Sequence, residues 1–252
     1  MNEEFVEFTG ERIIPELENF FFLEHLARYK LAKSYLNEND KILDVGCGDG
    51  YGTFFLSRFA GHATGIDVSN ETINLAAKKY TKNNLGYLCV DPNEWGLPKS
   101  AFDFVTCFEV FEHINQPELL LEKIHYCLKP GGKLIISTPN KNVFGENIKV
   151  SFHVKEYTME EFTAILQNIF DICEIKGQYH LKKIGRKWNY FISDLAMRFP
   201  VLLKIVSYYL SKKPRKYLNP EYFDHLDTSD NIFSKHAPEN ADYFVVVCSK
   251  GT

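Results

Sequence analysis

The sequence lacks several features that would assign a protein to a class at once. Its charges nearly balance, with a net charge of −4 over 252 residues, so the chain as a whole offers no basic surface for nucleic acid. It contains no run of about 18 apolar residues of the kind that spans a membrane. The six cysteines form no C-x-x-C pair, and the acidic start MNEEFVEFTGER has no apolar signal-peptide core. We therefore expect a cytoplasmic protein in a reducing compartment, with no nucleic acid as partner.

What the sequence does contain is a regular alternation of strand-length apolar runs and helical patterns. Its hydrophobic content of 45% is enough for a single domain over residues 1–252, with an N-terminal arm and helix in residues 1–38. Two late runs, Phe170–Gln178 and Tyr243–Ser249, have the character of edge strands. Alternation of this kind predicts an α/β fold, with a mostly parallel sheet and helices on both faces. The earlier predicted strands are Lys41–Cys47, Ala63–Val68, Tyr87–Val90, Phe102–Phe108 and Lys133–Thr138.

A cluster of glycines follows the first predicted strand. The stretch ILDVGCGDGYG places glycine at positions 46, 48, 50 and 52, where the strand should turn into a helix. Glycine lets a ligand approach the bare backbone, and we expect N–H groups of the loop to be free to donate. The spacing does not meet the dinucleotide fingerprint G-x-G-x-x-G, which makes a dehydrogenase a poorer interpretation. The loop therefore predicts a ligand site at the carboxyl ends of the strands.

Two aspartates end the second and third predicted strands. Asp67 closes TGIDVS, 21 residues after Gly46, where a carboxylate can accept both hydroxyls of a ribose. Asp91 occupies the same place after the third strand, where the amino group of an adenine could donate to it. An aspartate before proline also makes turns, so the case for Asp91 is weaker than that for Asp67.

Taken together, these motifs resemble those of class I S-adenosylmethionine-dependent methyltransferases. The matching segments are ILDVGCGDG, TGIDVS, YLCVD, FDFVTCFEVFEHI and LKPGGKLIISTPN, in that order. The resemblance implies a seven-stranded Rossmann-like sheet of order 3-2-1-4-5-7-6 whose last strand is antiparallel. It implies S-adenosylmethionine as cofactor, with its methionine part at the glycine loop, its ribose at Asp67 and its adenine at Asp91. The cofactor-binding residues expected are Arg12, Asp44, Gly46, Cys47, Gly48, Asp67, Val68, Asp91, Pro92, Phe108 and Glu109.

The flanking segments resemble a narrower group. FTGERIIPE, EHLARY and SFHVKEYTMEEF are similar to segments of bacterial methyltransferases associated with surface polysaccharides. This resemblance implies methyl transfer to a sugar hydroxyl or a phosphate-type decoration during assembly of a surface glycan or capsule. A quinone or other small-molecule O-methyltransferase is the alternative enzyme. A protein that binds the cofactor without turnover is the alternative from another class.

Two histidines are candidates for the base that a hydroxyl acceptor requires. His153, in SFHVKEY, follows the fifth strand on the expected rim of the site, and we prefer it to His113 in FEHI. The motif EVFEH also resembles quinone-biosynthesis methyltransferases, some of which bind a divalent metal there. We expect no metal, and if one binds, its ligands would be Glu109, Glu112 and His113.

The segment before the last strand is the most individual part of the chain. We expect a helical cap over residues 181–240, inserted between the last two strands. Residues 181–216 hold ten lysines and arginines and one acid, a local charge of +9, interleaved with apolar and aromatic residues. Such a segment fits a lid over an anionic small-molecule or glycan acceptor, or a homodimer contact. Contact with a membrane surface is a further alternative.

Overall fold

The computed structural model describes residues 20–90, 96–144, 153–180 and 222–251. Within them the helices are α1 (Phe20–Lys33), α2 (Tyr51–Leu56), α3 (Asn70–Lys79), α4 (Pro117–Cys127), α5 (Lys141–Phe144), α6 (Met159–Gln167) and α7 (Tyr222–His225). The strands are β1 (Lys41–Val45), β2 (His62–Asp67), β3 (Leu85–Cys89), β4 (Phe102–Phe108), β5 (Leu128–Pro139), β6 (Asp171–His180), β7 (Asn231–Ser234) and β8 (Tyr243–Ser249). None of the described helices is both long and apolar enough to cross a membrane.

The strands form a single sheet of order β3-β2-β1-β4-β5-β8-β6-β7 in the described part of the chain. Strands β1 to β5 pair in parallel, and β8 is antiparallel to both β5 and β6. The α/β architecture and the order of its first seven positions agree with the expectation. The count of seven strands does not, because β7 adds an eighth strand that pairs with the end of β6 from Gly177 to His180.

Two predictions for the last part of the chain are wrong. Tyr243–Ser249 is an interior strand, buried on both faces because apolar residues occupy every position from Tyr243 to Cys248. The predicted helical cap over 181–240 is not helical throughout, since its described end contains the strand Asn231–Ser234 beside helix α7. Residues 181–216 lie outside the described residues.

Alternating side chains of the strands build a core on each face of the sheet. In β5, Leu134 and Ile136 pack on one face with α4 and α6, whereas Ile135 packs on the other with α1 and α2. Strand β8 alternates in the same way, with Val246 on the first face and Val247 on the second. This two-sided burial fixes the register of the sheet and brings the carboxyl ends of its parallel strands to one edge.

Helix α1 is buried almost all round rather than on one side. We expected Leu23, Ala27, Leu31 and Tyr35 to form its apolar face. Of these only Ala27 is buried, and the other three are half-buried. The fully buried apolar residues are Phe22, Leu26 and Ala32, and the polar groups of Glu24, His25, Arg28 and Tyr29 are buried with them. A helix that is buried on its polar face must find partners for those groups, and they lie at the edge of the sheet described next.

Candidate active site

Strands β1, β2, β4 and β5 end side by side, and the loops that follow them carry most of the predicted site residues. Asp67 ends β2 and Phe108 ends β4, while the glycine loop follows β1. This edge is where ligands bind in open α/β sheets. Of the predicted residues, Arg12, Asp91 and Pro92 lie outside the described residues.

The glycines of the loop have different roles. Gly46 has φ +71°, and a Cβ added to it would collide with Cγ2 of Val110, so no side chain fits there. Gly48 has φ +50°, and no atom lies within 4 Å of the place that a Cβ would take, so its outer side is open to a ligand. Gly52 is helical and packs so closely on the ring of Tyr29 that a Cβ would overlap it. The fourth glycine thus serves packing, and Gly48 offers the open approach.

Asp67 ties the glycine loop to the end of β2. Its Oδ2 accepts a hydrogen bond from Gly48 N at 3.1 Å, and its Oδ1 accepts one from Ser69 N at 3.0 Å. A carboxylate has about four lone-pair sites, so two remain for outside hydroxyls. Ser69 caps α3 through Thr72 N, as predicted, and Val68 beside it is 64% exposed. Asp67 and Val68 therefore present a polar and an apolar contact side by side, next to the glycine loop.

The expectation of free N–H groups in the loop is wrong for its first three residues. Gly46 N and Cys47 N both donate to Ile66 O, at 2.8 and 2.9 Å, and Gly48 N donates to Asp67. The loop is held rigid by β2 instead of offering these donors to a ligand. Cys47 itself is 4% exposed, and burial raises the pKa of its thiol, so it packs behind the loop as a neutral group.

Asp44 was expected among the cofactor-binding residues, and the structure shows that it makes hydrogen bonds within the core. It is fully buried, and its carboxylate accepts hydrogen bonds from Thr53 Oγ1 at 2.6 Å, Thr106 Oγ1 at 2.7 Å and Tyr29 Oη at 3.1 Å. Burial raises its pKa to about 6 although these bonds act to lower it. Asp44 therefore joins β1, α2, β4 and α1 beneath the loop.

The end of β4 holds a strained residue. Glu109 has φ +54°, a left-handed conformation that is costly outside glycine, and Ser137 Oγ donates to its Oε1 at 2.7 Å. Phe108, by contrast, is 3% exposed and packs edge-on against Tyr29, with ring centroids 5.1 Å apart. Of the two residues expected to line the pocket, Glu109 is accessible and Phe108 lies under α1.

The two predicted histidines meet beside Glu112. The rings of His113 and His153 lie edge to face with centroids 5.0 Å apart. The loop that carries His153 is fixed there because Val154 N and Lys155 N donate to Glu112 O at 2.8 and 3.2 Å. His153 Nδ1 lies 3.2 Å from Oε1 of Glu156, a carboxylate that can orient the imidazole.

One atom each from Glu112, His113 and His153 lies within 4.8 Å of the others, a donor set that could hold a divalent cation. Glu112 is 1% exposed, and Thr138 Oγ1 donates to its Oε2 at 3.1 Å. Burial and the nearby Glu109 raise the pKa of Glu112, so a cation would have to displace a proton. The set differs from the one expected, because His153 stands in it where we had placed Glu109.

Sequence reasoning missed the polar residues of α1 as parts of this edge. His25 Nδ1 is hydrogen-bonded to Tyr51 Oη at 2.5 Å, and Arg28 reaches Glu109. Burial, followed by the nearby charge of Arg28, lowers the pKa of His25 to about 3, which keeps its imidazole neutral. The signal was present in EHLARY, whose polar residues at i, i+1, i+4 and i+5 share one side of a helix.

The arrangement has two chemically different parts. The first part is the glycine loop with Asp67, which can hold hydroxyls and the backbone of an extended ligand. The second part is Glu109 with Glu112, His113 and His153, which can bind or move a proton or hold a cation. Both parts open on the edge that the strand ends define.

Comparison with known proteins identifies the domain. Residues 19–191 match the family model described as a methyltransferase domain. A protein of Mycolicibacterium smegmatis, named a probable S-adenosylmethionine-dependent methyltransferase, is 31% identical over 180 residues, which are 68% of each chain.

Two further proteins are similar over different extents. The ubiquinone biosynthesis O-methyltransferase of Coxiella burnetii is 35% identical over 103 residues, 40% of this chain and 44% of that protein. The N-methyltransferase NodS of Bradyrhizobium japonicum, solved with S-adenosyl-L-homocysteine, has a TM-score of 0.56 at 15% identity, covering 93% of this chain and 90% of NodS. At this low identity, the comparison with NodS shows similarity of fold alone.

Proposed function

Since this chain belongs to the class I S-adenosylmethionine-dependent methyltransferases, we propose that it methylates an oxygen of a sugar or of a phosphate-type decoration. The setting proposed is cytoplasmic assembly of a bacterial surface glycan or capsule. The observation that carries the oxygen acceptor is the pair formed by His153 and Glu156 at the edge of the sheet. The support for a glycan is the resemblance of the segments FTGERIIPE, EHLARY and SFHVKEYTMEEF to glycan-associated methyltransferases.

The cofactor half of the proposed site is the glycine loop with Asp67 and Val68. The ribose would bond to the lone pairs that Asp67 leaves unused, and the open side of Gly48 would admit the methionine part. The exposed Val68 would cover one face of the adenine. Asp91 and Arg12 stay predictions for the adenine and for the carboxylate of the cofactor.

The acceptor half uses His153 as general base. An imidazole that donates from Nδ1 to Glu156 keeps a lone pair on Nε2 for the hydroxyl of the acceptor. The bound cofactor would supply a methyl group activated by its sulfonium, with the neutral thioether as leaving group. The hydroxyl proton passes to Nε2 of His153. The cofactor carries the reactive group, so the protein contributes position, proton transfer and exclusion of water.

An anionic acceptor is proposed from the charge of the segment before the last strands. Residues 181–216 carry +9 while the rest of the chain is acidic. A lid of that charge over the site would attract a nucleotide sugar or a phosphate-bearing glycan. A homodimer contact or a membrane surface would explain the same composition, and the salt dependence of each can be measured separately.

A quinone-type O-methyltransferase is the second candidate. The similarity to the ubiquinone biosynthesis enzyme over 103 residues favours it, as does the donor set of Glu112, His113 and His153. In that case these three residues would hold a divalent cation, which would acidify the hydroxyl of a catechol-type acceptor. His153 cannot be both the general base and a metal ligand, so the two candidates make opposite demands on it.

A single assay separates these functions. Purified protein with methyl-labelled S-adenosylmethionine would be offered nucleotide sugars, phosphorylated glycans and catechols, each with and without a divalent-metal chelator. Label on a sugar acceptor that survives chelation supports the proposal. Label on a catechol that chelation abolishes supports the quinone-type candidate. Cofactor binding without label on any acceptor supports a protein that binds without turnover, and overturns the proposal.

A further inference from the structure

Arg28 is a buried cation that no part of the proposed chemistry uses. It lies on α1, is 1% exposed, and donates from Nε to Gln178 Oε1 on β6 at 2.7 Å. Its guanidinium lies over the ring of Tyr243 on β8, 4.2 Å from the centroid, and Nη2 is 3.7 Å from Oε1 of Glu109. Three elements distant in sequence therefore fix the guanidinium next to the strained residue that ends β4.

The charges around Arg28 show which carboxylate interacts with it most strongly. Burial alone would lower the pKa of Arg28, but the carboxylates around it, Glu109 foremost, outweigh burial and raise that pKa above its ordinary value. Glu24 and Glu112 act on it less strongly than Glu109. Glu24 also accepts a hydrogen bond from Tyr243 Oη at 3.0 Å. At 3.7 Å the contact of Arg28 with Glu109 is an ion pair without a hydrogen bond, and the hydrogen bond to Oε1 of Glu109 comes from Ser137.

Neutralisation of Glu109 matters because methyl transfer removes a charge from the cofactor. The sulfonium of S-adenosylmethionine is positive, and the sulfur of the product S-adenosylhomocysteine is neutral. An ionised carboxylate beside the sulfonium would favour the reactant over the transition state, in which that charge is already dispersing. Interactions that are stronger in the ground state than in the transition state slow a reaction.

We propose that Arg28 is a positioning residue that balances the charge of Glu109, so that this carboxylate contacts the cofactor without binding its positive charge. The inference rests on the proposed function in one respect, which is that Glu109 faces the sulfonium. A purely structural role, in which Arg28 only ties α1 to β6 through Gln178, makes a different prediction. If Arg28 were only such a tie, its loss would change the affinities for S-adenosylmethionine and S-adenosylhomocysteine by the same factor.

The test is the ratio of affinities for S-adenosylmethionine and S-adenosylhomocysteine, measured by calorimetric titration. Arg28→Met should raise the preference for S-adenosylmethionine at least about threefold, because an unbalanced carboxylate then faces the sulfonium. Glu109→Gln should shift the ratio the other way, and the double variant should return near the wild-type ratio. Arg58→Met is the matched control, since Arg58 pairs with Asp224 on the surface and should leave the ratio unchanged.

The outcomes distinguish failure of the proposed function from failure of the charge balance by Arg28. If the wild-type protein binds neither ligand, the proposed function fails. If it binds both and the ratio is unchanged in Arg28→Met, charge balance by Arg28 is overturned. Should Arg28→Met fail to fold, Arg28→Gln, which removes the charge but keeps a side chain able to donate hydrogen bonds, takes its place in the same comparison.

Discussion

The two halves of the site are built in different ways. At the glycine loop, Gly46, Cys47 and Gly48 are held by hydrogen bonds to the neighbouring strand, and Asp67 uses half of its capacity to fix the loop. On the other side of β1, the groups near Glu109 come from elements far apart in the chain. Arg28 and Gln178, for example, are 150 positions apart and joined by one hydrogen bond.

The cofactor half depends on backbone conformation, whereas the acceptor half depends on buried charged groups. The cofactor half is shaped by left-handed glycines and strand ends, so its geometry depends on local chain conformation. The acceptor half is shaped by buried ionisable groups, and burial, followed by the nearby charge of Glu109, raises the pKa of Glu112 there. Changes at Gly48 and Asp67 should therefore affect binding, and changes at His113 and His153 should affect turnover and its dependence on pH.

The largest effect is expected from the base. His153→Ala should lower kcat by about 10²-fold or more, because general-base help is worth roughly 10²–10⁴. Cofactor affinity should stay near the wild-type value. The wild-type rate should fall as the solution is acidified, since a protonated imidazole accepts no proton. This fall is the acid limb of the pH–rate profile, and the variant should lose it.

His113→Ala is the matched comparison for the base, since the two rings are in contact. It should have a smaller effect on kcat, and it should keep the acid limb. If His153→Ala retains full kcat, or if only His113→Ala removes the acid limb, the base is misassigned. The metal-dependent quinone-type candidate would then replace the proposal.

The next effect is on cofactor binding. Asp67→Ala should weaken S-adenosylmethionine binding by about tenfold or more, since a charged hydrogen bond is worth roughly 1.5–3 kcal/mol. Part of the loss would come from the loop, because Gly48 N and Ser69 N lose their acceptor. Calorimetric titration measures the change, and wild-type affinity in this variant would remove Asp67 from the site.

Two glycine variants, with a smaller expected effect, separate the cost of backbone strain from the loss of ligand contact. Gly48→Ala and Gly131→Ala both place a side chain at positive φ, +50° and +73°, with no atom within 4 Å of the new Cβ. Each should cost about 1 kcal/mol of stability through left-handed strain. Only Gly48→Ala should also weaken cofactor binding, by several-fold. Equal affinities in the two variants would show that no ligand approaches Gly48.

The smallest effect concerns the pH dependence of stability. His25 has a folded pKa of about 3 against an ordinary value of 6.5, so the unfolded chain binds its proton first as pH falls. Stability is therefore lost below about 6.5, by less than about 1 kcal/mol between pH 7.5 and 6. His25→Gln should flatten this slope in thermal unfolding, with exposed His62→Gln as control. The raised pKa of Asp44 acts oppositely but is common to all three proteins. A slope in His25→Gln as steep as that of the wild type would contradict the buried neutral imidazole.

The strand ends and turns around the glycine loop were predictable because their signals are local. Strand ends, glycines and the cap at Ser69 lie within a few residues of one another, and the structure brings Asp67 to the loop, whereas its contact with a ribose stays a prediction. The interior position of β8 was already implied by the sheet order of the resemblance, and the six consecutive apolar residues from Tyr243 to Cys248 agree with a strand covered on both faces.

The surroundings of Glu109 escaped prediction because the contacts there are made across the sheet. Nothing in the neighbourhood of Arg28 in the sequence indicates Glu109, Gln178 or Tyr243, which the packing of α1 brings to it. The hydrogen bonds of Asp44 are a second example of contacts made between distant elements. Its position in the motif points to the cofactor, whereas its three hydroxyl partners come from α1, α2 and β4.

The separation of the two halves can be tested in one experiment, a single-turnover methyl transfer at saturating S-adenosylmethionine with the acceptor found in the assay above. Asp67→Ala should recover a rate close to the wild-type rate, because its defect lies in binding and saturation corrects it. His153→Ala should stay about 10²-fold slow under the same conditions, since its defect lies in proton transfer. A saturated Asp67→Ala protein as slow as His153→Ala would contradict the account.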